Sequence, residues 1–479
     1  MSSIKSQVPS KNSIIVFIDH KIESQYKSRI YYAFQEMLIR FNYNLCLTNV
    51  KKDADIIYGE TKPKLAKKTI FIRHNSELFS ASEHGRKLEF YFSSYSNLKR
   101  LIIQSKLDPI GWIFRFLTLL DEKSFGNGRY DGRINSLPKW RRDIALIPIV
   151  DELANIVADI LIESSVISNK QFGFETYKLL LTHDSDSSNI SSFREIATNL
   201  VKGFIRLDIN YLKKSRLGFT QRHLTYELNS HFAIDVWVEK FPKYKQLFLL
   251  SVASRFRHFH DTKSNTSDNK FPWNFLKNSF TDENIDFALH SSINSYKKIT
   301  RYIMAKDFIE THLDWPILGN RSHYWSIDWK QPFVSYRKLI RAGFRFDMTM
   351  TYREGGGLRA GTCLPYKPYD LQSEKPLNIF IIPTCIMDSF AVYGSKETKN
   401  KILKMITRIK HLNGIVNLDW HTETINEPYP YEGYIKALRD FLIVHNLNSE
   451  NSELPMCLLN KWISRYQFFS SPETKLKER

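Results

Sequence analysis

Two carboxylates one residue apart, Asp184 and Asp186, follow an apolar run, YKLLLTH at 177–183. Carboxylates this close can split roles, one binding a cation while the other is held as a general base. The same Asp-Ser-Asp also reads as a helix cap. His290 closes a second apolar run, FALH at 287–290. A neutral imidazole at a strand end is a good ligand for zinc or a similar transition metal, although a lone histidine is as readily structural. His323 lies between Gly319-Asn320-Arg321-Ser322 and the aromatic pair Tyr324-Trp325. Those rings could pack on a sugar face, or the histidine could belong to the core. Arg359 opens RAGTCLPY at 359–366, after Glu354-Gly355-Gly356-Gly357. A buried arginine there can clamp a carboxylate and lower its pKa. Cys363 in the same stretch could be a thiol nucleophile, but with no base beside it a small packing residue is the simpler reading. His421, in LDWHTE at 418–423, can protonate a departing amine or alcohol. Order and spacing along the chain say more than any one of these groups.

The elements that must position them alternate. Apolar runs at 177–183, 246–250, 287–290, 377–383 and 415–421 read as buried strands, several ending on Asp or His. Helical spacing falls between them, at 293–312, 332–342 and 396–411. That pattern describes a distorted parallel α/β barrel with its polar groups gathered at the strand C-terminal mouth. Ahead of it, strand-like runs at 14–18, 44–48, 55–59, 69–74 and 88–92, with a helix over 23–40, indicate a smaller α/β, Rossmann-like unit. No GxGxxG follows the first run, so dinucleotide binding is not supported. DPIGWIFRFLTLLDE from Asp108 and PIVDELANIVADILI from Pro148 read as helices around a Gly-rich turn at 125–133. The stretch 187–240 reads as a polar, partly helical insertion. The expected organisation is an N-terminal α/β domain over 1–107, a helical connector over 108–170 and the barrel over 171–460.

The totals exclude several classes. Hydrophobic residues make up 42% and aromatic residues 14% of 479 residues, which fills cores and argues against global disorder. Lys plus Arg exceed Asp plus Glu by 69 to 50, a net charge of +19. The basic residues are scattered, with no arginine-rich block or nucleic-acid motif, so no nucleic-acid partner is expected. The four cysteines form no CxxC pair, excluding a thiolate zinc knuckle and a disulfide framework. A polar N-terminus without a signal-peptide core, and no run of about 18 apolar residues, point to a cytoplasmic protein without a membrane span.

LTHDSD (181–186), ALHSS (288–292), RSHYW (321–325), AGFRFDMT (342–349), LRAGTCLPYKPYDL (358–371), IPTCIMDS (382–389) and LDWH (418–421), in this order, resemble the NodB-type polysaccharide deacetylases, carbohydrate esterase family 4. The likeness is closest to a branch with an uncharacterised α/β domain ahead of the deacetylase domain. It implies a hydrolase removing acetyl groups from N-acetyl or O-acetyl sugars with a divalent metal, zinc foremost, and an acetylated saccharide or polysaccharide as partner. By the resemblance, Asp184 is the general base, Asp186 the metal-binding Asp and His290 the first metal His. Arg359 would orient the base, His421 would be the acid and Asp388 would support it. The family's second motif carries another His four residues after the first; here Asn294 stands in that place, and His323 is the expected replacement ligand. Asn294, Tyr324, Trp325, Tyr366 and Trp420 are the expected substrate-facing set. The alternative is a NodB-type barrel that binds or assembles glycan without turnover.

Overall fold

The computed structural model describes residues 12–64, 68–80, 89–90, 92–120, 122, 133–186, 193–207, 209–220, 234–252, 273–279, 283–354, 356–425 and 433–466. The Gly-rich turn at 125–133 lies outside the described residues except for Arg133, as does much of the 187–240 insertion.

The N-terminal strands form where apolar, β-branched runs are broken by polar residues. β1 (Ser13–Ile18), β2 (Asn44–Thr48), β3 (Ile56–Gly59) and β4 (Ile70–Arg73) make a parallel sheet in the order β2-β1-β3-β4. The helix Lys27–Arg40 crosses from β1 to β2 and buries Ile30, Phe34, Met37 and Leu38. The run at 88–92 is not a strand in its described part. The helix Pro109–Thr118 starts where Asp-Pro predicts: the Asp108 carboxylate accepts the Ile110 and Gly111 N–H groups at 3.0 Å each, and the proline needs no partner. Asp108 also accepts from Tyr58 Oη at 2.7 Å and Asn75 N at 2.9 Å, tying this helix to the first sheet.

The larger sheet has eight parallel strands. They are β5 (Lys178–Asp184), β6 (Gln246–Ser251), β7 (Ile285–Ser291), β8 (Gly319–Ser322), β9 (Phe346–Asp347), β12 (Phe380–Ile381), β13 (Ile386–Met387) and β14 (Ile415–Asp419). A small hairpin, β10 (Tyr369–Asp370) with β11 (Lys375–Pro376), stands apart. The order β12-β9-β8-β7-β6-β5-β14-β13 is that of a curled sheet, consistent with a distorted barrel, and places β5 beside β14 despite their separation in the chain. Single bridges join Gly356 to Ile386 and Tyr366 to Ile381, so the stretch between them reaches both edge strands and spans the gap. The sequence reading missed β8 and β9: GNRS has no apolar run, and FD is two residues long.

One buried hydrophobic cluster runs from Ile14 to Trp462, through both sheets. Where the elements meet it also holds charge. Arg40 Nε lies 2.8 Å from Asp151 Oδ1, with Glu36 3.2 Å from Arg40 Nη1 and all three buried. Asp151 further accepts from Thr362 Oγ1 at 2.8 Å and Cys363 N at 2.7 Å. Three chain segments are thus pinned at one point. Burial, with Asp151 adding negative charge, pushes the Cys363 thiol well above its ordinary range, so it stays protonated and packs as a small residue.

Arg40→Met would keep most of the volume and leave two buried carboxylates without their cation, a change that typically costs about 3–5 kcal/mol. A urea titration at neutral pH should show a midpoint lowered accordingly; an unchanged midpoint would mean the cluster contributes nothing net.

Candidate functional site

Side chains alternate across a strand, and that alternation builds the site. On β5, Thr182 and Asp184 share one face while His183 takes the other. His183 stacks between Trp237 and Phe248, with ring centroids at 4.3 and 4.9 Å, and burial lowers its pKa to about 4. It is a neutral core residue, with Nδ1 2.7 Å from the Trp420 carbonyl. One strand over, β14 carries Asp419 at its end and His421 two residues later. β7 brings His290 beside Arg321 of β8 in register, and His323 follows two residues after Arg321. Each group sits at the carboxyl end of its strand, where a parallel barrel gathers chemistry.

Arg321 is the cation inside this face. Its Nη1 lies 2.8 Å from Asp184 Oδ1 and 3.0 Å from Asp419 Oδ1, and its Nη2 donates to Thr182 Oγ1 at 2.7 Å and Thr384 Oγ1 at 3.3 Å. All five residues are buried. Burial alone would raise Asp184, but Arg321, then His290 and His421, hold it below the usual carboxylate value. Asp419 goes the other way: burial and the neighbouring Asp184 charge push it well above that value. The two carboxyls beside one guanidinium are thus pushed in opposite directions.

Asp186 stands one step outward and is shared by three imidazoles. Its Oδ1 is 2.9 Å from His290 Nε2, and its Oδ2 is 3.3 Å from His323 Nε2 and 3.5 Å from His421 Nε2. Burial would raise it, but His323, His290 and His421 hold it well below the ordinary range. The ligand atoms of Asp186, His290 and His323 all lie within 4.8 Å of one another. A tetrahedral ion with bonds near 2.1 Å needs donors about 3.4 Å apart; the Asp186–His323 distance of 3.3 Å is close to that, and the Asp186–His290 distance of 2.9 Å is shorter. Asp186 Oδ1 and His290 Nε2 are buried without a hydrogen bond of good geometry, as expected of donors aimed at a common point. One carboxylate and two imidazoles are a donor set suited to zinc or a similar divalent metal, so these residues fit such an ion. A second group, Asp184, Asp419 and His421, is equally close. Its cationic position is already taken by Arg321.

His421 lies on the open side. Its Nδ1 is 2.9 Å from Asp388 Oδ2, which also accepts the His421 N–H at 2.9 Å. Burial would lower this histidine, but Asp388, Asp419 and Asp186 outweigh it and raise it well above 6.5. These carboxylates favour its protonated form.

His323 reaches the centre through unusual backbone. Tyr324 and Trp325 both have left-handed φ, 53° and 54°, a conformation bulky residues rarely adopt. The double turn leaves Tyr324 46% exposed at the rim and drives Trp325 inward, 5.6 Å from the Arg321 guanidinium.

Several expected site residues lie elsewhere. Arg359 does not touch Asp184: it donates from Nη2 to Glu122 Oε2 at 2.7 Å and lies 3.3 Å from the Trp329 ring centroid. Its loop spans the edges of the sheet, so its cation closes the fold, and Arg321 takes the place beside Asp184. Trp325, Tyr366 and Trp420 are at most 5% exposed and cannot present a ring to a ligand. Asn294 caps the short turn Ser295–Lys297, its carbonyl accepting from Arg301 Nη1 at 2.9 Å, while the ligand group is completed by His323. Arg321 and Asp419 were missed as functional residues. The available signal was spacing: each stands two residues before a site histidine, which puts it on the same strand face.

Titration calorimetry with zinc should show stoichiometric binding that His290→Ala and His323→Ala each weaken at least tenfold, while Asn294→Ala and Arg359→Lys leave it intact. Equal weakening by Asn294→Ala would put the ligand set in error.

No family model matches the chain, and no curated protein matches it. Among solved structures it is similar to a crystal structure from Mycobacterium smegmatis named "putative polysaccharide deacetylase", at 12% identity and a TM-score of 0.35, over 57% of this chain and 85% of that one.

Proposed function

We propose that this chain is a metal-dependent deacetylase of the NodB type, acting on N-acetyl or O-acetyl groups of a saccharide. The observation that carries the reading is the convergence of Asp184, Asp186, His290, His323 and the Asp388–His421 pair at one end of a parallel sheet. A divalent ion bound by Asp186, His290 and His323 would supply Lewis acidity, polarising an acyl carbonyl and acidifying water.

The remaining work falls to the chain. Asp184, ionised and fixed by Arg321, is the general base: its Oδ2 faces the His290 side of the site, and its Oδ1 is tied to the guanidinium. Arg321 keeps that carboxylate in one orientation. His421, protonated and opposite the base, is the general acid that delivers a proton to the departing amine or alcohol. Asp388 fixes the ring through Nδ1, leaving Nε2 toward Asp186 and the opening. Tyr324 offers an exposed ring at the rim for the apolar face of a sugar. Two opposed groups with pKa values pushed apart form an acid–base pair.

Metal-loaded protein should release acetate from acetylated chito-oligosaccharides or O-acetylated sugars. Asp184→Asn and His421→Ala should each lower kcat by at least about 100-fold, the usual scale of a general acid or base. Absence of acetate release with zinc, cobalt or manganese, on both amide and ester substrates, would refute the reading.

The pH profile tests the acid separately. His421 has a raised pKa, so its working protonated form is present below that value and is lost as pH rises through it. Asp388→Asn removes the largest charge raising it and should move the alkaline limb to lower pH. A limb that stays put would exclude His421 as the titrating acid.

A further inference from the structure

The stretch AGFRFDMT at 342–349 supplies no group to the metal or to the acid–base pair, yet it buries a carboxylate completely. Asp347 closes β9 and lies in register with Asn320 of β8. Alternation along β8 puts Asn320 and Ser322 on the face opposite Arg321. Asp347 therefore acts on the back of the strand that carries Arg321 and leads into His323. Its Oδ2 accepts from Asn320 Nδ2 at 2.7 Å and from Thr349 Oγ1 at 2.9 Å, and its Oδ1 accepts the Thr349 N–H at 2.9 Å. A threonine hydroxyl has one proton, so donating it to Asp347 turns the oxygen lone pairs elsewhere. Thr349 Oγ1 accepts the Ser322 N–H at 3.0 Å.

These side chains take over where the backbone ladder stops. β8 pairs with β9 at Gly319–Phe346 and Asn320–Asp347, and the Met348 N–H donates to the Asn320 carbonyl at 2.8 Å. β8 runs on past that point, and its next inward-bonding amide, Ser322 N–H, is held by a side-chain hydroxyl one residue before His323. On the other flank Ser322 is in register with Ser291 of β7, whose Oγ donates to Ser322 Oγ at 3.2 Å. Asn320, Ser322, Asp347 and Thr349 are each at most 1% exposed. Burial pushes Asp347 up to about 6, and its hydrogen-bond donors among the described residues are all neutral. An apolar side chain would fill that space at lower cost, so the stability of the core does not account for a carboxylate here. We propose that Asp347 is a positioning residue for the centre: through Asn320 and Thr349 it fixes the end of β8, and with it the placement of Arg321 on Asp184 and of His323 at the ion. Asp347 touches neither the ion nor substrate. The proposal deepens the metal-dependent reading and rests on His323 being a ligand.

The test uses the full chain, titrated with zinc by calorimetry and loaded with cobalt, whose visible absorption reports the ligand geometry. Asp347→Asn keeps the shape but must turn an NH2 toward at least one of the three donors, and Thr349→Val keeps the shape without the hydroxyl. Each should weaken zinc binding about tenfold, the lower end for groups that orient metal ligands, and change the cobalt spectrum. Thr349→Ser, which retains the hydroxyl, should bind as wild type does. A purely structural role would lower thermal stability in the variants and leave zinc affinity and the cobalt spectrum alone. If Asp347→Asn does not fold, the two Thr349 variants decide. Unchanged zinc affinity and spectrum in Asp347→Asn and Thr349→Val, or an equal loss in Thr349→Ser, overturns the proposal and leaves the metal reading standing. If wild type binds neither zinc nor cobalt, the metal reading itself fails and this proposal falls with it.

Discussion

The site depends on one guanidinium. Arg321 sits in the interior with no water to solvate it, and an uncompensated charge there would cost several kcal/mol. Asp184 and Asp419 resolve this by flanking Nη1, while Thr182 and Thr384 accept from Nη2. The consequence reaches outward. Asp184 is held ionised, and the ordered carboxylate on β5 fixes the start of the turn that presents Asp186 to the histidines.

The imidazoles show how one residue type is given several roles by environment. His183 is neutral because it is stacked between rings and sealed from water. His421, more open to solvent, is pushed toward its protonated form by the carboxylates that face it, Asp388 foremost. His290 and His323 both face Asp186, at 2.9 and 3.3 Å. At the site the left-handed Tyr324–Trp325 pair turns His323 toward the centre and puts a tryptophan beneath Arg321.

The stretch of glycine, arginine and cysteine at 356–366 teaches a different lesson. A Gly-rich stretch with a buried Arg has the chemistry of a clamp, and it is one, but for the fold. Arg359 holds Glu122 against Trp329, the backbone bridges both edge strands, and Asp151 gathers Thr362 and Cys363 toward Arg40. Residue types alone cannot separate a clamp on a catalytic carboxylate from a clamp on a structural one, because both need the same donor fork.

The sequence by itself determined the local elements. Apolar runs of β-branched and aromatic residues gave β1 to β7 and β14 nearly to their ends, Asp108-Pro109 gave a helix start, and strand-terminal polar residues marked Asp184, Asp186, His290 and His421 as a set. It could not supply β8, β9 or the edge strand β13, whose backbone is held by neighbours in the sheet and whose own side chains carry no period. Only the tertiary structure decided which arginine meets Asp184, that His323 completes the group in which Asn294 takes no part, and that Trp325, Tyr366 and Trp420 face inward. Those outcomes follow from pairings between strands far apart in the chain, β5 with β14 and β7 with β8, and a one-residue shift in any of them would turn every side chain to the opposite face.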